Sequence, residues 1–279
     1  MFCCQCDQAA GGWGCTQRGR CGKTAEVANM QDLLIYQLKG IAVYAMGYLE
    51  NAEAVPKEYI AFIENALIQT LTNVNFEEQD HLRMLRTSKE LKAKIKAELP
   101  KLQTDREEAI FILTEDRSRI LRDARRAGIR PGRGRGEETW ALHEAIKQGV
   151  KGIAAYSHQA RYLGQYDNHI DHFLCRALAA TTDPDLPVAE LAALVAETGE
   201  KAAMAIDLLD QANHQSRTGR TRKSPQMNPD MIIRAAGTGE IRRLFLLEAV
   251  MIVTGGEVTI LNIPMWFGRI ASSPDFTFS

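Results

Sequence analysis

The residues with the most chemistry in them lie at the amino terminus, where MFCCQCDQAAGGWGCTQRGRCGKT carries five of the chain's six cysteines. Cys3 and Cys6 form a Cys-x-x-Cys pair, eight residues separate Cys6 from Cys15, and five separate Cys15 from Cys21. The fifth, Cys4, sits inside the first pair. Cys-x-x-Cys aims two thiolates at one centre from a single turn. The interspersed Gly11, Gly12, Gly14, Gly19 and Gly22 let the backbone wrap closely round an inorganic core and leave its amides available to sulfide. Three chemistries compete. A disulfide cluster suits a short secreted chain, and this one has 279 residues and no signal peptide before Cys3. A zinc ribbon wants two short Cys-x-x-Cys knuckles, of which there is one. An iron–sulfur cluster tolerates one tight pair plus two spread ligands and fits best, on Cys3, Cys6, Cys15 and Cys21, with Cys4 diverging from them.

The segment MFCCQCDQ…GGWGCTQRGRCGKTAEVANMQDLLIYQLKG resembles the opening of the hybrid cluster proteins, also called prismane proteins or hydroxylamine reductases. The resemblance continues through LTNVNF (Leu71 to Phe76), KGIAAYSHQARYLGQYDNHI (Lys151 to Ile170) and AMAIDLLDQAN (Ala203 to Asn213), and covers most of residues 1–213. In members with this cysteine spacing the four cysteines bind a cubane [4Fe-4S] cluster, which implies that role for Cys3, Cys6, Cys15 and Cys21. It also implies an oxidoreductase in which this cluster relays electrons from a redox donor protein to a second, hybrid [4Fe-2O-2S] cluster. There hydroxylamine is reduced to ammonia, and nitric oxide reduction is also proposed for the family. The family's hybrid-cluster ligands are a histidine, glutamates and several cysteines from later α/β domains. After Cys175 this sequence has no cysteine, so none of those cysteine ligands is present in it. The expectation is a chain that holds the relay cluster and does not turn over substrate. The alternatives are a non-catalytic electron-transfer remnant and a zinc-binding interaction module on the same thiolates.

Composition narrows the field. A net charge of −1 gives no global pull toward nucleic acid or acidic membranes. Hydrophobic residues make up 45%, ordinary for a globular protein, and no apolar run reaches the length of a membrane span. Thiols without a secretion signal point to a reducing cytoplasm.

The elements that must position the cysteines read as mainly α: duplicated three-helix bundles with an N-terminal iron–sulfur loop and a short irregular α/β tail. The divisions fall at 1–23 (cysteine-rich loop), 24–128 (first bundle and linker helix), 129–137 (basic Gly/Arg loop), 138–213 (second bundle) and 214–279 (tail). Thr24 is placed to cap a helix whose Leu34, Leu38, Ile41 and Ala45 share one face. A break over Asn51 to Pro56 precedes a second helix to about Thr72, with Pro56 in its first turn and Phe62, Ala66, Leu67 and Thr70 on one face. A charged third helix, Glu77 to Leu99, reads as a solvated face. The motif Lys39–Tyr44, KGIAVY, recurs as Lys151–Tyr156, KGIAAY, and Phe62, Ala66, Leu67 and Thr70 recur as Phe173, Ala177, Leu178 and Thr181. Gly40 and Gly152 sit mid-helix at about 1 kcal/mol each, with close helix contact the expected compensation. Asp105 to Ala127 reads as a linking helix, and RPGRGRG, with Arg122, Arg125 and Arg126 beside it, as an exposed loop. Cys175 reads as a buried inert thiol, and His169 and His172, with Asp167 and Asp171, as surface polar residues rather than a metal site.

The tail departs from the family pattern. Asp230 to Leu247 is similar to a helix and strand of a later α/β domain, where Gly-Gly-Cys-Asp follows; here Glu248-Ala249-Val250-Met251 follows. Suitable codons read one base earlier would restore that sequence. The expectation is a large internal deletion near residues 214–229 and a frameshift after Leu247. The other reading is a divergent ending with its own hairpin, turned at Thr254-Gly255-Gly256-Glu257.

Overall fold

The computed structural model describes residues 1–6, 8–51, 53–114, 116–127, 136–218, 252–254 and 257–259. The basic loop, nearly all of the tail, and with them the inferred deletion and frameshift lie outside the described residues. The fold is mainly α. Helices α1 (Ala25–Glu50), α2 (Lys57–Gln69) and α3 (Glu78–Glu98) precede two short ones, α4 (Glu107–Ile110) and α5 (Arg117–Ala127). Then come α6 (Glu137–Tyr162), α7 (Asn168–Ala180) and α8 (Val188–Thr218). In the tail β1 (Ile252–Thr254) pairs antiparallel with β2 (Glu257–Thr259), Val253 opposite Val258.

Local chemistry sets the helix starts. Thr24 is extended, and its hydroxyl accepts from Val27 N at 3.2 Å, which satisfies one of the four unpaired N–H groups of the first turn of α1. Leu34, Leu38, Ile41 and Ala45 form its buried stripe. Pro56 stands one position earlier than expected, as the N-cap of α2. Asp167 caps α7, accepting from His169 N at 2.7 Å.

α1 and α6 are equal in length, as are α2 and α7, and the paired helices carry the repeated motifs. The two sets interlock: α7 lies against α1 and α2 against α6, while α3 packs on α1 and α8 on α6. One continuous core results, from Met30 and Leu33 through Ile63 and Ile153 to Leu174 and Leu209.

Two expectations need correction. The segment from Asp105 to Ala127 is broken. Phe111 is extended, and the buried Lys92 of α3 takes the carbonyls of Glu108 (3.0 Å) and Phe111 (2.7 Å), which competes with helix continuation. Asp116 then accepts from Arg119 N at 2.8 Å and opens α5. Lys92 is therefore not on a solvated face. Nor does Glu98 merely face water, because it accepts from the hydroxyls of Tyr48 (2.5 Å) and Tyr59 (2.6 Å).

Candidate metal centre

The cysteine loop is laid across the ends of α1 and α6 by backbone pairing and aromatic packing. Cys3 and Cys15 face each other across an antiparallel bridge, each donating its N–H to the other's carbonyl (3.0 and 2.8 Å). Such a pair presents its side chains on one side of the ribbon. Between them the chain turns through Ala10–Gly12, with Gly11 and Gly12 both at positive φ (66° and 68°), a conformation that suits residues without a Cβ. Cys6 opens that turn, its carbonyl accepting from Ala9 N at 3.2 Å. Cys21 lies in a second turn, closed by Gly22 N on Gly19 O and Gly19 N on Lys23 O, both at 2.9 Å. Its Sγ lies so close over Gly19 that an added Cβ there would sit 2.9 Å from the sulfur. Phe2, Trp13 and Trp140 form a three-ring cluster with centroids 6.1–6.3 Å apart, which anchors the loop to α6.

Of the four sequence-predicted ligands, Cys15 is buried, and Cys3, Cys6 and Cys21 are half-buried. Cys3 and Cys15 are brought directly together, while Cys6 and Cys21 stand in the two flanking turns. Among the described residues no three His, Cys, Asp or Glu side chains are grouped as ligands of a single ion. None of Cys3, Cys4, Cys15 and Cys21 is in a disulfide. Cys4 turns from this set toward α6, its Sγ 3.7 Å from Glu144 Oε2. Burial first, and the Glu144 carboxylate second, push its thiol up to about 12, so it stays protonated at neutral pH.

Sequence reasoning missed the charged ring round this loop. Glu144 pairs with Lys147 one turn on, at 2.5 Å. Burial draws the Lys147 ammonium down, but Glu144, Cys4 and Asp32 outweigh it and hold it above the usual lysine range. Asp32 on α1 is pushed up to about 6, chiefly by burial. Phe2, Cys3, Cys4, Asp32, Glu144 and Lys147 line a common small cleft. Lys23 and Lys151 are buried beside it, Lys23 Nζ donating to Gln31 Oε1 at 2.7 Å and Lys151 Nζ reaching Thr70 O at 3.3 Å. The available signal was the repeated lysine: Lys39 and Lys151 head the same motif and both are buried.

The other candidates resolve differently. Cys175 is fully buried, and burial drives its thiol far up, as an inert core cysteine requires. Asp171 is not a surface residue. It accepts from Arg161 Nη2 at 2.5 Å, and Arg161 also donates from Nε to Glu64 Oε2 at 2.8 Å, with Glu64 wholly buried. No helix among the described residues is long and apolar enough to cross a membrane.

Comparison with known proteins places this arrangement. The family profile described as Prismane/CO dehydrogenase family matches residues 1–228. The chain is 41% identical over 222 residues to a hydroxylamine reductase of Halothermothrix orenii, a match covering 76% of this chain and 40% of that protein. It is 38% identical over 218 residues to a hydroxylamine reductase of Acetivibrio thermocellus, covering 76% and 38%. A hydroxylamine reductase of Desulfitobacterium hafniense is 37% identical over 220 residues, covering 77% and 40%. The aligned stretch thus spans about 40% of the length of these curated relatives. With its cysteine loop, its helical repeat and a profile match over most of its length, the chain belongs to the Prismane/CO dehydrogenase family.

Proposed function

We propose that this chain is the electron-relay portion of a hydroxylamine reductase-type iron–sulfur oxidoreductase, with a [4Fe-4S] cluster held by Cys3, Cys6, Cys15 and Cys21. The observation that carries the reading is the Cys3–Cys15 cross-strand pair, set between two glycine turns that bring in Cys6 and Cys21. The residues fit the group in donor type. A single tetrahedral zinc with Zn–S near 2.3 Å needs its sulfurs about 3.8 Å apart. A four-iron core holds its thiolates farther apart, one to each corner. When bound, the cluster supplies one-electron transfer. The four thiolates would ligate it, in a loop that Phe2, Trp13 and Trp140 anchor to α6 and that buried charged side chains surround. The donor is a redox protein, and the ultimate substrate of the whole oxidoreductase is hydroxylamine, the activity carried in the relatives' names, or a small nitrogen oxide.

Within these 279 residues no cysteine follows Cys175, so a hybrid cluster has no thiolate donors from this stretch. We therefore expect the chain alone to take up electrons without reducing hydroxylamine. Anaerobic reconstitution with iron and sulfide, read by visible absorption and low-temperature EPR, tests the cluster. A colourless, iron-free product, or one that binds zinc alone, ends the reading. Ammonia formed from hydroxylamine with an artificial donor ends the expectation of inactivity.

A further inference from the structure

The ligand loop is ringed by buried charge. Lys23, 2% exposed, has one close partner for its ammonium, the neutral amide oxygen of Gln31. Gln5, between Cys3 and Cys6, is best satisfied with its oxygen accepting from Lys151 Nζ at 2.7 Å and its nitrogen donating to Thr70 O at 3.2 Å. That orientation leaves it unavailable to Lys23. Among the described residues no carboxylate comes within ion-pair distance of Lys23. A buried cation held by a neutral amide, with the Phe76 ring centroid 5.9 Å from its nitrogen, meets no formal negative charge at close range, and an anion close by would stabilise it further. Across the loop, the Glu144 carboxylate lines the cleft that contains Cys3 and Cys4.

We propose that Lys23 and Glu144 are positioning residues that set the midpoint potential of the bound cluster in opposite directions, Lys23 raising it and Glu144 lowering it. This rests on the reading that Cys3, Cys6, Cys15 and Cys21 hold an iron–sulfur cluster. A cluster ligated by four thiolates is anionic, and one-electron reduction adds a further negative charge. A fixed cation nearby stabilises the reduced form more than the oxidised one, and a fixed anion does the reverse. Both groups are largely shielded from water, so their fields are weakly screened.

The test uses the full chain, reconstituted anaerobically with iron and sulfide, as wild type, Lys23→Met, Lys23→Arg, Glu144→Gln and the Lys23→Met/Glu144→Gln double variant. Iron content and the EPR spectrum of the dithionite-reduced protein establish that the same cluster is present, and a mediated redox titration gives the potential. Lys23→Met should shift the midpoint negative and Glu144→Gln positive. Lys23→Arg should leave it near wild type, and the double variant should fall between the single ones. A merely structural role predicts no such pairing of signs. Wild-type iron content with unmoved potentials, or with both shifts in the same direction, overturns the inference and leaves the cluster reading standing. Should Lys23→Met fail to take up iron, Glu144→Gln carries the test, and anything other than a positive shift overturns the proposal. Failure of the wild type itself to take up iron sinks the underlying reading instead.

Discussion

The two ends of α6 each bury a charged seam, and they are balanced differently. At the far end Arg161 bridges Glu64 and Asp171, one cation between two carboxylates. Burial pushes Asp171 up to about 6 against the pull of Arg161, whereas the bonds from His158 and Arg161 outweigh burial at Glu64 and hold its carboxyl low. That seam clasps α2, α6 and α7. At the near end Lys23, Lys147 and Lys151 are gathered round the same loop as Glu144 and Asp32, so the charges named there lean cationic. One seam joins its cation to two carboxylates by direct ion pairs. The other leans toward positive charge, and the proposed thiolate-ligated cluster would set an anion beside it.

The sharpest way to break this comparison is to remove the anion. Cys15→Ser should abolish nearly all iron uptake and the visible chromophore, because Cys15 is the buried member of the cross-strand pair. Cys4→Ser should keep both, since the Cys4 thiol is protonated and turned to Glu144. Equal losses in the two variants, measured as iron per chain, would remove the distinction between ligand and bystander.

Breaking each seam directly should come next in size. Arg161→Met strands Glu64 and Asp171 in the core and should cost about 3–5 kcal/mol in denaturant unfolding. Lys147→Met leaves Glu144 without its ion-pair partner and removes a cation near Asp32, with other lysines still close by, and should cost less, about 1–3 kcal/mol. A larger loss at Lys147 would mean that the near seam is the structural clasp.

Acid adds a graded version of the same test. The folded value of Asp171, about 6, lies above its ordinary 3.8. Between those limits the folded chain holds a proton that the unfolded chain does not. This group therefore favours folding increasingly as pH falls from above 6 toward 4, by at most about 3 kcal/mol. His81 and His172 are held low by burial and act the other way below pH 6.5, because the unfolded chain protonates them first. The wild type minus Asp171→Asn difference isolates the aspartate. Plotted from pH 7 to pH 4, it should rise in favour of the wild type, and a flat difference would contradict burial as the cause.

How much of this was legible follows from what each pattern encodes. Thr24 and the Leu34–Leu38–Ile41–Ala45 stripe were readable, because caps and apolar periodicity report backbone needs local to one helix. The break at Phe111 was not, because it depends on Lys92 reaching it from α3. Charged residues at core positions were hardest. Glu64, Lys92, Glu144 and Asp171 count as surface in any apolar-periodicity reading, yet each is buried against a partner distant in sequence or on its own helix. The way α7 crosses to α1 and α2 to α6 was equally invisible, since the repeat marks which helices correspond and not which helices touch.

The repeat also supplies the finest test, through two glycines that look equivalent in sequence. A Cβ on Gly40 would lie 2.2 Å from the Glu108 carbonyl oxygen, so α1 needs a bare backbone where α4 crosses it. A Cβ on Gly152 would meet nothing within 4 Å, so the close contact expected at both positions exists at only one. Gly40→Ala should therefore destabilise by about 1–3 kcal/mol through overpacking against backbone. Gly152→Ala should stabilise by about 0.5–1 kcal/mol, the helix preference of alanine in α6. Because Gly152 lies between the two seams without taking part in either, this variant should raise the denaturation midpoint while leaving iron content and the Arg161→Met penalty unchanged. A Gly152→Ala variant that loses iron would mean that the two ends of α6 are mechanically coupled, and that the near seam could not be treated apart from the far one.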